Sequence, residues 1–218
     1  MIQILVNRFL IGLFLAILSA GCAGPQPEQK GEQALVESRP RDSIDYFKEQ
    51  LQHHPSDARA RNNLAVAYMR VKNYDAAFNE LNKVIAQTPD DATAHYNLAL
   101  VYYFKGLVNM EIEAYRKTIR LAPTHYGAHL NLGHALLEKG EKKEAVTQYR
   151  WVLVQTPENT KVLFNLALLY RDLNEKEKAI PLLKKFLEVE PEGKYSVRAK
   201  QYLSELTRTA PGTDGSKK

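Results

Sequence analysis

Two histidines are the clearest candidates for metal chemistry in this sequence. His125 and His129 are four residues apart, so on a helix they would share one face and could hold a metal ion together. No cysteine or well-spaced third ligand accompanies them, and the chain has no glycine-rich phosphate loop, zinc-helix motif or nucleophile elbow. His129 also follows His95 at an interval that recurs throughout the chain, and the repetition favours a structural role for both as large, partly buried side chains. We therefore expect no metal, no catalytic residue and no enzyme activity.

Four asparagines suggest a different chemistry. They recur at the same constant interval, as Asn63, Asn97, Asn131 and Asn165. An amide side chain both donates and accepts hydrogen bonds, so amides at regular intervals could bind the backbone of an extended peptide. The column predicts a binding surface.

The same interval extends to the elements that must position these side chains. Prolines keep it without a slip, at Pro55, Pro89, Pro123, Pro157 and Pro191. Three further columns are leucine, a small residue and a bulky residue, at Leu64, Leu98, Leu132 and Leu166; Ala65, Ala99, Gly133 and Ala167; and Tyr68, Tyr102, Leu136 and Tyr170. Their offsets of one and four residues form one stripe of an α-helix. Self-similarity at a fixed period, in the range of about 20–50 residues, is typical of a stacked array of identical units.

Each unit should contain two antiparallel helices. The first should end where the chain takes a positive φ, at Lys72, Gly106, Gly140 and Asn174. Lysine suits this conformation poorly, so Asn73 is the alternative in the first unit. Proline ends the second helix, and close approach within the pair predicts that Ala65 faces Ala77 and Gly133 faces Ala145.

These columns resemble the tetratricopeptide repeat family from residue 58 to residue 191. The resemblance implies an all-α, right-handed solenoid of helix–turn–helix repeats, with the first helices lining its concave side. The predicted parts are an N-terminal partial repeat, four full repeats and a C-terminal capping helix, at residues 32–57, 58–91, 92–125, 126–159, 160–193 and 194–207. In the partial repeat, residues 32–38 form a weaker helix, and Asp42 or Ser43 caps a second helix that ends at Pro55. Glu111 departs from the family's small-residue column, so either its helix is shifted by one residue or its carboxylate reaches solvent along its own stem.

On the concave side we predict a groove lined by apolar and aromatic side chains, with amide side chains at intervals. Its residues are Asn62, Asn63, Val66, Met69, Tyr96, Asn97, Leu100, Tyr103, Phe104, Leu130, Asn131, His134, Leu137, Phe164, Asn165 and Leu168. Two interpretations stay open for the asparagines, which either bind peptide backbone or, as the resemblance allows, fix local loops. Tyr103 and Phe104 likewise either anchor a ligand side chain or pack against neighbouring first helices.

The N-terminal segment predicts export. Residues 1–21 contain an apolar run, Phe9–Leu18, followed by small residues and Cys22, the only cysteine. This segment resembles a bacterial lipoprotein signal, which implies a covalent lipid, including palmitate, on Cys22. A plain cleavable signal, an uncleaved anchor and a cytosolic first helix are the alternatives. Residues 22–31 should be a flexible tether, and 208–218 a disordered tail.

These patterns predict a lipid-anchored periplasmic adaptor at the outer membrane. Its groove would bind envelope proteins and assist a complex such as a secretin or type IV pilus, while the lipid holds it to the membrane. The net charge of +5 gives no nucleic-acid footprint, and we expect no small-molecule substrate and no cofactor besides the lipid. The alternatives are a regulatory tether for peptidoglycan hydrolases or proteases and, in a different class, an enzyme whose active site shows no motif.

Overall fold

The structure, a computed structural model, describes residues 40–208. Over this range the chain forms ten α-helices and no strand, which confirms the predicted all-α class. The helices are α1 (Pro40–His53), α2 (Ala58–Arg70), α3 (Tyr74–Gln87), α4 (Ala92–Phe104), α5 (Val108–Leu121), α6 (Tyr126–Lys139), α7 (Lys142–Gln155), α8 (Thr160–Asp172), α9 (Lys176–Val189) and α10 (Ser196–Thr207). None of these ten combines the length and the apolar character needed to cross a membrane.

Several predicted features lie outside the described residues. They are the signal peptide, the lipidation site at Cys22, the tether, the weaker helix at 32–38 and the tail after Arg208. Helix α1 is described from Pro40, so Asp42 and Ser43, the predicted cap residues, lie within the helix. Proline is well tolerated in the first turn of a helix, where its missing N–H has no intrahelical partner.

The chain divides into two compact units, with the boundary between Glu80 and Leu81 inside α3. The described part of the first unit contains α1, α2 and the start of α3. Its core is a small apolar cluster formed by Ile44, Phe47, Ala60, Leu64 and Ala67. An ion pair adds to it, since Arg61 Nη1 lies 2.7 Å from Glu80 Oε2.

The second unit contains the rest of α3 and the helices from α4 to α10. Its larger core includes Ile112, Tyr115, Leu132, Leu136 and Tyr149. A further apolar cluster joins the last helices, built from Leu163, Phe164, Ala167, Leu183, Phe186 and Ala199. Burial of these apolar stripes is the main stabilising contribution, because a single helix pair cannot remove its own apolar face from water.

Each first helix of a repeat begins with the same kind of cap. The side chains of Asp57, Asp91, His125 and Asn159 accept a hydrogen bond from the backbone N–H three residues later, at 2.9, 2.8, 3.1 and 3.1 Å. These residues also follow the interval of the repeat, as a column that was not among those predicted. Capping satisfies one of the N–H groups that a helix leaves without an intrahelical partner.

The turns within the helix pairs confirm the predicted positive-φ column. The φ values are +61° at Lys72, +70° at Gly106, +85° at Gly140 and +60° at Asn174. The alternative prediction, in which Asn73 forms the turn, was wrong. The Asn73 side chain instead caps α3 by accepting a 3.2 Å hydrogen bond from the Ala76 N–H. Lys72 therefore keeps a left-handed backbone despite its Cβ, which costs about 1–2 kcal/mol relative to the ordinary helical region.

A third column ties the start of each repeat to the proline before it. Arg61 Nη2 donates to the Pro55 carbonyl at 2.5 Å, and the Nε2 atoms of His95 and His129 lie 2.8 and 2.9 Å from the carbonyls of Pro89 and Pro123. A carbonyl oxygen only accepts, so each imidazole must carry its proton on Nε2. Leu163 occupies this column in the last repeat and has no group that could donate.

The glycine in the small-residue column contacts a ring that lies one helical turn after its predicted partner, Ala145. A Cβ added to Gly133 would lie 2.6 Å from Tyr149 Cε1, and the three nearest atoms all belong to Tyr149. We expected Ala145 opposite this glycine. The absence of a side chain at Gly133 therefore makes room for an aromatic ring.

Helix α10 covers the end of the second unit. Ala199 is fully buried there, and Phe164 lies beside Tyr195 and Tyr202, with ring centroids 5.1 and 6.4 Å away. Ser196, the first residue of this helix, is buried. Its hydroxyl donates to the Glu190 carbonyl and accepts from the Gly193 N–H, both at 2.7 Å, and so holds the loop before the helix.

Candidate functional site

A cavity of about 280 Å³ opens between the helices of two successive repeats in the second unit. We call it the Glu111 cavity; it is lined by Leu100, Tyr103 and Phe104 of α4, Glu111 and Tyr115 of α5, and Asn131 and His134 of α6. Five of these seven residues belong to the predicted groove. Glu111 and Tyr115 do not, because the prediction considered only the first helix of each pair.

Two aromatic rings form the outer edge of the Glu111 cavity. Tyr103 and Phe104 are 54% and 49% exposed, and their ring centroids lie 5.3 Å apart at 62°. Both residues lie at the end of α4, since the helix stops at Phe104 and the chain turns at Gly106. Exposed aromatic pairs offer a large apolar contact area at a low entropic penalty, which is typical of binding surfaces.

Glu111 brings a carboxyl group into this apolar cavity. One of the two sequence interpretations expected the carboxylate to reach solvent along its own stem. The residue is only 4% exposed, so the side chain does not extend into bulk solvent. Among the described residues, no hydrogen-bond donor or cation pairs with its carboxyl group. Burial first, and the negative charge of Glu138 second, raise the pKa of Glu111 to about 7.

Arg116, one of three cations on the same helix, is engaged elsewhere. Arg116 Nη1 lies 2.6 Å from Glu113 Oε1, and Arg116 Nη2 lies 2.6 Å from Glu144 Oε2 on α7. These bonds raise the pKa of Arg116 and engage its guanidinium. Lys117 on this helix lies 2.8 Å from Asp90 Oδ1, so neither Arg116 nor Lys117 is paired with Glu111.

The interior wall of the cavity is made of tyrosine and amide groups. Asn131 Nδ2 donates to Tyr96 Oη at 3.3 Å, so this amide of the asparagine column makes a hydrogen bond inside the second unit. Burial, followed by the charge of Glu111, raises the pKa of Tyr115, with hydrogen bonding to Asn131 acting in the opposite direction. Both tyrosines stay neutral, and they are 5.9 Å apart between ring centroids.

A second cavity of similar volume, about 280 Å³, shares His134 with the first. We call it the Lys161 cavity, and it is also lined by Thr160, Lys161, Phe164, Asn165, Phe186, Glu190, Lys194 and Tyr195. His134 Nδ1 lies 2.8 Å from Tyr149 Oη. Partial removal from water and then the charge of Lys161 lower the pKa of His134, so its Nδ1 is free to accept the tyrosine hydroxyl.

The remaining predicted groove residues are distributed between the two units. Asn62, Asn63, Val66 and Met69 lie in the first unit, where Asn63 lines a small cavity of about 80 Å³ with Tyr46, Phe47 and Arg59 among others. Asn62, Met69, Asn97 and Phe164 are buried, whereas Tyr96, Leu130, Leu137 and Leu168 are half-buried.

Both histidines considered for metal binding make hydrogen bonds with other parts of the chain. His125 Nδ1 caps α6, and His129 donates from Nε2 to the Pro123 carbonyl while its Nδ1 lies 2.8 Å from the side-chain amide of Gln148. His129 also stacks on Trp151, with ring centroids 3.8 Å apart. Within residues 40–208 no three His, Cys, Asp or Glu side chains are grouped to hold a metal ion.

Known proteins with this architecture are numerous. Crystal structures of MamA superpose well: one has 21% identity, covers 76% of this chain and 90% of that chain, and gives a TM-score of 0.65, while MamA from Desulfovibrio magneticus RS-1 has 18% identity, coverages of 76% and 93% and a TM-score of 0.67. YrrB, described as a TPR protein with an unusual peptide-binding site, has 19% identity, coverages of 78% and 88% and a TM-score of 0.65. At these identities the likeness shows the fold.

Sequence comparison gives the family. No curated protein is similar enough to the chain to count as a relative. Three profiles of the tetratricopeptide repeat match residues 34–106, 92–125 and 130–193, which together contain nearly all of the helical repeats. The chain belongs to the tetratricopeptide repeat family, whose all-α fold is a scaffold for protein–protein interaction.

Proposed function

We propose that this protein is a lipid-anchored periplasmic adaptor that binds a segment of a partner protein at the Glu111 cavity and helps to assemble an outer-membrane complex such as a secretin or type IV pilus. The observation that carries the binding role is the exposed pair Tyr103 and Phe104 at the edge of a preformed cavity. Aromatic side chains beside a concave pocket are the usual anchors of a protein–protein contact. The peptide-binding site ascribed to YrrB, which has the same fold, supports this role.

The double substitution Tyr103→Asp with Phe104→Asp tests the binding role. Two carboxylates at the edge would have to be desolvated on contact with a partner, so partner capture should fall at least tenfold. The measurement is photo-cross-linking in living cells from a probe placed at Leu107, with the helical circular dichroism of both proteins compared. The matched control is Val154→Asp with Val197→Asp, which changes two residues that are 75% and 76% exposed and distant in sequence. Undiminished capture by the Tyr103 and Phe104 variant would contradict the proposal.

The lipid anchor rests on the sequence of the N-terminal segment and has its own test. Cys22→Ser removes the only thiol of the chain, to which a lipid could be attached. We expect the wild-type chain to incorporate labelled palmitate and to sediment with the outer membrane. The variant should lose the label. Equal labelling of both chains would show that Cys22 carries no lipid.

A further inference from the structure

The Glu111 cavity combines three properties that rarely occur together. It is concave and preformed, its outer edge is aromatic, and its lining includes a glutamate that is only 4% exposed. Its volume of about 280 Å³ lies just below the range of about 300–1,000 Å³ that is usual for small-molecule pockets. The size therefore suits one long side chain of a protein partner.

The charge of the cavity is one-sided. None of its seven lining residues is lysine or arginine, and Arg116 on the same helix is bound to Glu113 and Glu144. His134 is held neutral, because partial desolvation and the neighbouring Lys161 lower its pKa. Within the described part of the chain, the carboxyl group of Glu111 thus faces the cavity without a donor.

We propose that the Glu111 cavity is a specificity pocket for a basic side chain, arginine or lysine, of the segment that the adaptor binds. The cation would lie between the rings of Tyr103, Phe104 and Tyr115 and donate hydrogen bonds to the Glu111 carboxylate. A cation over an aromatic face is attracted by the ring quadrupole, and a charge-assisted bond to a carboxylate is about twice as strong as a neutral one. The inference rests on the proposed function, since it specifies what the same surface recognises.

The pocket should bind more tightly as the pH rises. The groups facing Glu111 are Tyr103 from α4, Tyr115 from α5, and His134 and Glu138 from α6. Burial and Glu138 raise the pKa of Glu111 to about 7, so the carboxylate that a cation needs is mostly absent at pH 6 and mostly present at pH 8. Arginine and lysine stay charged over this interval. The affinity for a basic peptide should therefore rise about tenfold between the two values.

The test uses the purified full chain and a phage-displayed library of random decapeptides. We expect the selected peptides to share an arginine or lysine at one position. In a synthetic copy of the best peptide, citrulline in place of that arginine, or norleucine in place of that lysine, should weaken binding to the wild-type chain at least tenfold. The same exchange should have little effect on Glu111→Gln, which keeps the shape of the side chain without its charge, and Glu188→Gln on α9 is the matched control.

The outcomes separate this inference from the proposed function. If selected peptides need Tyr103 and Phe104 but show no basic preference, the basic pocket is wrong and the binding surface stands. If a basic peptide binds equally well to Glu111→Gln and shows no change between pH 6 and pH 8, the pocket is also wrong. If no peptide is selected, or if the Tyr103 and Phe104 variant binds the same peptides unchanged, both proposals fail.

Discussion

Glu111→Gln is expected to raise the free energy of unfolding at pH 8 by about 3 kcal/mol. The pKa of Glu111 is about 7 in the folded chain and 4.5 when unperturbed, and each unit of difference is equivalent to about 1.4 kcal/mol. The folded chain therefore holds this proton more tightly than the unfolded chain does. Between pH 4.5 and pH 7 the glutamate ionises in the unfolded chain but stays mostly protonated in the folded chain. This ionisation stabilises the unfolded state, so the wild-type protein loses stability as the pH rises over this window. Glutamine has no proton to lose.

Urea unfolding of both proteins at pH 4, 6 and 8 measures this effect. The difference between the variant and the wild type should be small at pH 4 and should reach its full value by pH 8. Glu188→Gln is the control, since this glutamate is exposed on α9 and its replacement should leave the pH dependence unchanged. A Glu111→Gln effect that is the same at all three pH values would show that the carboxyl group is not perturbed by burial.

A destabilising carboxyl group in a cavity agrees with a functional role. Selection keeps a residue that lowers stability when activity requires it, and ionisable groups with strongly displaced pKa values concentrate at functional sites. The aromatic and amide side chains around Glu111 leave its charge uncompensated in the described structure. Binding of a cation would remove both the loss of stability and the pKa shift.

Tyr149→Ala is expected to lower the free energy of unfolding by about 4 kcal/mol, within the range measured for aromatic residues removed from protein cores. The ring is fully buried against Gly133, which has no side chain that could fill the space that the ring leaves. The substitution also removes the hydroxyl that lies 2.8 Å from His134 Nδ1. Since domains are stable by only about 5–15 kcal/mol, the loss should bring the second unit close to unfolding at 37 °C.

Thermal and urea unfolding with Tyr103→Ala as the control check this prediction. Tyr103 is an exposed tyrosine, so its truncation should change stability by less than about 0.5 kcal/mol. The contact with Gly133 provides a second check. Gly133→Ala should destabilise the wild-type chain through the 2.6 Å clash with the ring, but it should stabilise Tyr149→Ala, because alanine is the better helix former by about 1 kcal/mol. The same sign in both backgrounds would contradict the contact.

The helical scaffold could be predicted from the sequence because the same structural residues recur in each repeat. The prolines at the junctions, the leucine and small-residue columns and the positive-φ turns all occur four or five times at one interval, so local and tertiary requirements agree. The structure places Pro55, Pro89, Pro123, Pro157 and Pro191 between helices, as expected. At Lys72 the tertiary array overrides residue preference, and there the prediction that moved the turn to Asn73 failed.

The floor of the cavity could not be predicted by the same route. Glu111 and Tyr115 are on a second helix, whereas the groove was taken from the first helices only. A signal was nevertheless present, since Glu111 is the one residue that breaks the small-residue column of the second helices. Repeated positions identify the scaffold, and a departure from them marks a place where the scaffold requirement yields to another one. The Lys161 cavity was missed for a related reason, because it depends on residues of α9 and of the loop before α10.

Three local features that the first three full repeats share also bear on how such a chain can change its length. The cap, the left-handed turn and the proline carbonyl bond all close within a single interval of the repeat. Duplication or deletion of a whole interval in the gene would therefore add or remove these polar groups together with their partners. Inheritance of such intact segments allows a lineage to extend or shorten its receptor surface without first redesigning the supports.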